Sequence, residues 1–154
     1  MARLHRRLFE NCLDGVDDAT ARRRASDTTN HLAFLACHLT EAREYLIETL
    51  GGDKQEPFPE IPEIAGADEY DDWPALERIR TAWQDVSDRL ETTLREVTGE
   101  ALEQDVEMPF LDDPTVDGFA TFLLHHEAYH VGQMALLRKY FGLPAMEYGE
   151  PTHR

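Results

Sequence analysis

Apolar residues recur at three- and four-residue spacing in four separate segments, and no stretch alternates with the period of two that marks a half-buried strand. The first runs from Arg3 to Gly15, with Leu4, Leu8 and Cys12 four apart, Phe9 and Leu13 beside them, and Gly15 suited to a C-cap. The second starts between Ser26 and Asn30, where N-cap residues cluster, and ends at Leu50 before Gly51-Gly52. Its stripe is Leu32, Leu35, Leu39, Ala42, Leu46 and Leu50, with His31, His38 and Tyr45 at seven-residue intervals along one edge, close enough to face an interior. The third follows Asp71-Asp72 as cap, takes Pro74 in its first turn and reaches Thr98; Leu76, Ile79, Trp83, Val86, Leu90, Leu94 and Val97 form its buried face. The fourth is capped by Thr115 and continues to Phe141, before Gly142 and Pro144. On it Val116, Phe119, Leu123, His126, His130, Leu137 and Phe141 share a stripe.

Between Gly51 and Asp71 the chain carries Pro57, Pro59, Pro62 and many acids, which predicts an irregular connection. A link of about twenty residues can cross a whole helical bundle and leave the second and third helices parallel. The expected fold class is therefore all-α. With 154 residues and 42% apolar content the chain suits a single domain over 1–154, its tail from Leu143 to Arg154 lacking periodicity.

Charge narrows the function classes. Thirty-one acidic residues against fifteen basic ones give −16, which repels nucleic acid and anionic membrane and also fits a salty habitat. The run Arg22-Arg23-Arg24 reads as a solvated segment, with a small anion patch as the alternative. No run of 18 apolar residues exists and the N-terminus lacks the apolar stretch of a secretory signal, so the expected location is the cytoplasm. Cys12 and Cys37 are too few for a disulfide framework and read as small core residues; Cys37 neighbours His38 but points about 100° away from it.

The chemistry lies in the histidines. In His126-Glu127-Ala128-Tyr129-His130 two imidazoles four residues apart face one direction and can grip one ion. Both occupy core positions where each ring nitrogen needs a partner, and a divalent metal satisfies one nitrogen of each ring. His38, mid-way along the second helix, can reach the same depth if the second and fourth helices pack antiparallel. Three neutral histidines leave a coordination position open, which is the composition of a catalytic site. His125 is rotated about 100° from His126, His31 lies about two turns from His38, and His5 and His153, near the termini, read as surface residues.

Two motifs resemble the DinB family (DinB/YfiT-like), whose members are described as candidate metal-dependent hydrolases. One is Leu123-Leu124-His125-His126-Glu127-Ala128-Tyr129-His130-Val131-Gly132-Gln133, similar to the family's last-helix pattern of His, three residues, His, any residue, Gly-Gln; the other is Leu35-Ala36-Cys37-His38-Leu39-Thr40-Glu41-Ala42. The resemblance implies an up-down-down-up four-helix bundle with a long crossover between helices 2 and 3, and His38, His126 and His130 as metal ligands. It departs at Val131, where many relatives have arginine, and at Tyr129, where many have histidine. It further implies a small-molecule substrate. The reaction is either hydrolysis or S-transfer from a low-molecular-weight thiol of the bacillithiol or mycothiol type.

A divalent ion lowers the pKa of a bound water or thiol, so both reactions suit the ligand set, and zinc, nickel, iron and manganese all accept imidazole. Tyr45, Trp83 or the acidic link would then wall the substrate pocket. A non-catalytic metal-binding or stress-related binding protein is the alternative. A zinc peptidase would use Glu127 as general base and Glu150 as third ligand; otherwise Glu127 supports the ligands from behind or is an exposed helix acid. A homodimer is a further expectation, since bundles of this size retain apolar faces.

Overall fold

The computed structural model describes residues 1–62, 66–67 and 69–149. In chain order they form α1 (Ala2–Leu13), α2 (Asp18–Ala21), α3 (Leu32–Thr49), α4 (Leu76–Glu96), α5 (Gly99–Leu102) and α6 (Val116–Tyr140). Among the described residues the architecture is all-helical, and the one strand-like pairing is an isolated bridge between Asp105 and Thr115. The four long helices are those the periodicity predicts. The two single-turn helices were not anticipated: Asp17 caps α2 by accepting from the Thr20 N–H, and Thr98 caps α5 by accepting from Ala101.

Helix starts follow cap chemistry, sometimes from an unexpected residue. The Thr115 side chain accepts from the Gly118 N–H at 3.1 Å, as its sequence position implies. A Cβ on Gly118 would stand 2.0 Å from the Asp113 carbonyl oxygen, so only glycine allows the preceding loop to close on this first turn. At the other end Gly142, with φ +83°, takes the left-handed conformation that terminates α6. By contrast α3 begins at Leu32, later than the Ser26–Asn30 cluster, because the His31 ring caps it: Nδ1 accepts from the Phe34 N–H at 3.0 Å. Likewise α4 begins at Leu76 without a cap from Asp71 or Asp72; the Leu76 N–H donates instead to Asp18 Oδ1, from α2, at 2.7 Å.

Side-chain contacts give the relative sense of the helices. His31 meets Trp73, Arg43 bonds Ser87 and Arg89 bonds the Asp53 carbonyl, so residue numbers rise together along α3 and α4. They also rise together along α1 and α6, from His5–Glu127 through Cys12–Val131 to Asp14–Arg138. Along α1 and α4 they run oppositely, from Arg6–Asp88 to Leu13–Arg80. The core between them is aromatic at its centre, where Phe9 and Trp83 stack at 3.9 Å and are fully buried. Each fully buried large apolar side chain of this kind contributes about 1.5–3 kcal/mol. The C-terminal carbonyls of α1 are satisfied by buried Arg138, whose Nη1 donates to Asn11, Cys12 and Asp14 at 2.8–2.9 Å.

The arginine run is neither solvated throughout nor a free anion patch. Arg22 donates to the Trp73 carbonyl, Arg24 to those of Thr29 and Asp27, and the Arg23 guanidinium lies over Phe141. No helix among the described residues is long and apolar enough to cross a membrane.

Candidate metal centre

α3 carries His38 and α6 carries His126 and His130, one turn apart on the face turned toward α3. The ring centroids are 5.0 Å apart for His38–His126, 4.9 Å for His38–His130 and 4.3 Å for His126–His130. The Nε2 atoms of His38 and His126 approach to 2.8 Å. One potential ligand atom from each ring lies within 4.8 Å of the other two, a grouping that could hold a metal ion. Metal–imidazole bonds of about 2.0–2.1 Å span such a cluster with small side-chain adjustment.

The electrostatics favour the ligating form of each ring. Burial, then the neighbouring His130 and His126, push the His38 imidazole down to about 4. Burial and His130 also lower His126, against the opposing pull of Glu127. His130 is lowered by burial, with Gln133 acting the other way. All three rings are thus neutral at pH 7, with lone pairs available. Gln133 Oε1 sits 2.7 Å from His130 Nδ1, so that nitrogen carries the proton and Nε2 carries the lone pair. Gln133 belongs to the sequence motif but had no role there; its position three residues past His130 was the available signal.

Aromatic rings flank each imidazole. Phe34 stacks on His38 at 5.8 Å, Phe122 on His126 at 6.0 Å, and Tyr129 meets His130 edgewise at 5.0 Å. Phe110 and Tyr129, about three-fifths exposed, carry this apolar rim to the surface. Of the expected wall residues, Trp83 and Tyr45 lie elsewhere. Trp83 is inside the core beneath the Arg43 guanidinium, and Tyr45 is 42% exposed with Lys54 over its ring. Tyr45 and the link residues Lys54, Pro57 and Phe58 line a cleft of about 440 Å³ whose lining includes none of the three histidines.

Glu127 departs from the expectation of a general base or a carboxylate behind the ligands. Turned about 100° from His126, it is buried against α1 and α3. Its Oε1 accepts from Arg43 Nε at 2.7 Å, and its Oε2 from Arg43 Nη2 at 3.1 Å and His5 Nδ1 at 3.0 Å. Burial would raise this carboxyl, but the His5 hydrogen bond and Arg43 outweigh it and hold it below the usual range. Both oxygens accept hydrogen bonds from Arg43 and His5, which holds the carboxylate of the peptidase reading within this buried network. Glu150, its companion in that reading, lies outside the described residues, as does His153.

His5 is buried, contrary to its expected surface position, because Glu127 draws it inward. His31 caps α3 and His125 is exposed, so neither joins the cluster. Cys37 is buried and outside the group; burial, with Glu41 and Glu60, raises its thiol well above the usual range. Arg43 was not singled out in the sequence. A lone arginine on an apolar helix face was its only signal.

The chain belongs to the DinB superfamily, whose family model matches residues 1–134. Its fold is similar to that of the DinB-like protein YjoA of Bacillus subtilis, known from a crystal structure. The TM-score is 0.63 at 13% identity, and the alignment covers 99% of this chain and 92% of that one. No curated protein matches the sequence.

Proposed function

We propose that this chain is a metal-dependent enzyme that holds one divalent ion through His38, His126 and His130 and acts on a small molecule. The reaction is hydrolysis or S-transfer from a low-molecular-weight thiol. The observation that carries this reading is the donor set itself: three neutral imidazoles from two helices converge on one point, with no carboxylate among them. An ion held by these three residues would supply Lewis acidity that lowers the pKa of a water or thiol. The protein's own groups do the rest. Gln133 orients His130, while Phe34 and Phe122 offer apolar walls to an electrophile and help exclude water.

The frame for this site is a single-domain four-helix bundle, up-down-down-up in α1, α3, α4 and α6. Support comes from the paired contacts that rise together along α3–α4 and α1–α6 and run oppositely along α1–α4. The long link after α3 is what such a parallel step requires.

The test is turnover by metal-loaded protein with a cellular thiol plus a small electrophile, and separately with small esters. Metal-dependent turnover that disappears on chelation and returns on reloading supports the enzyme. Tight metal binding without turnover in either assay replaces it with a metal-binding protein.

A further inference from the structure

The His5–Glu127–Arg43 network joins three helices at a buried point near the three histidines. Arg43 and Glu127 each expose at most 2% of their surface, and the guanidinium takes both carboxylate oxygens. Its remaining directions are also filled: Nη1 donates to Ser87 Oγ at 2.6 Å, Nη2 to the Ala2 carbonyl at 3.0 Å, and its face covers Trp83 at 3.8 Å. His5 adds α1 through its bond to the same carboxylate. Such a planar, forked contact is directional, unlike the leucine packing around it.

Direction is what the imidazoles need. An axial slip of α6 by one residue is about 1.5 Å with a rotation of about 100°, whereas a metal site tolerates errors of about 0.2 Å. Packing of Val131, Met134 and Leu137 constrains α6 more loosely, because apolar contacts do not prescribe an angle. Glu127 lies between His126 and His130 in sequence, so whatever holds its carboxylate also sets the rotation of both rings.

We propose that Arg43, Glu127 and His5 form a clasp that fixes the rotation and register of α6 against α3, making them positioning residues for His126 and His130. The inference rests on the metal reading above. In it, the Glu of His-Glu-x-x-His serves as an anchor on the neighbouring face of the helix.

Cobalt(II) titrated into metal-stripped full-length protein tests this, read by visible absorption and by competition with a chelator. The main variant replaces the whole clasp with apolar groups, His5→Leu/Arg43→Met/Glu127→Leu, because apolar replacement of a buried ion pair together with its hydrogen-bonded neighbour need not cost stability. We expect a helical, cooperatively unfolding variant whose cobalt affinity falls about tenfold or more, with an altered spectrum at saturation. If that variant does not fold, His5→Gln leaves the Arg43–Glu127 pair intact and shows a smaller loss in the same direction. Unchanged affinity and spectrum in a folded variant overturn the clasp alone. Absence of cobalt uptake by the wild type overturns the metal reading, and the clasp with it.

Discussion

His130 Nδ1 and Gln133 Oε1, one helical turn apart on α6, lie 2.7 Å from each other, and this contact decides which nitrogen of His130 stays free. Removing it lets the ring rotate and exchange tautomers. Gln133→Leu is therefore expected to weaken divalent-ion binding about tenfold while Gln133→Glu retains it. Competition against a colorimetric chelator measures both. Equal affinities for Gln133→Leu and wild type would show that the bond orients nothing.

A second outcome concerns acid stability. Burial, then Arg24, push the His31 imidazole down to about 4 against an opposing hydrogen bond to the Ala67 backbone. The unfolded ring, near 6.5, takes up a proton first as pH falls. Stability is thus complete above about pH 6.5 and is lost between there and about pH 4, by up to ~3 kcal/mol from this ring. Protonation also removes the lone pair that caps α3. In thermal melts His31→Asn keeps a cap oxygen without the titration, so its melting temperature falls less than wild type between pH 7.5 and 4.5. An identical fall in both proteins would contradict this account.

The start of α4 gives a third. Asp18→Ala removes the acceptor for the Leu76 N–H and should cost about 1 kcal/mol, whereas Asp71→Ala and Asp72→Ala should be nearly neutral. Urea midpoints rank the three; a ranking led by Asp71 or Asp72 would restore the local cap.

The cysteines supply a fourth. Burial pushes the Cys12 thiol up to about 12, against the opposing charge of Arg138, and Cys37 is raised further. Neither thiolate is available at pH 8. In a disulfide-exchange assay both are expected to react only as fast as the protein unfolds; rapid labelling of folded protein would refute this.

What the sequence made legible was periodic. The stripes of α3 and α4 are nearly all buried as read, from Leu32 through Leu50 and from Leu76 through Leu90, because a 3.6-residue period follows directly from helix geometry. The histidines were legible for the same reason: leucine positions occupied by imidazole stand out. Polar partnerships over long separations were not. Asp18 caps a helix 58 residues away and Glu127 pairs with residues 84 and 122 positions distant, and no local spacing encodes either. Glu127 misled because it sits within a pattern that suggests metal chemistry while its carboxylate is bound elsewhere.

The most direct measurement is the metal content of purified His38→Ala, His126→Ala, His130→Ala and His125→Ala proteins, by elemental analysis beside the wild type. The account predicts roughly one ion per wild-type and His125→Ala chain and a marked loss in each of the other three. Equal metal in all four variants would contradict it.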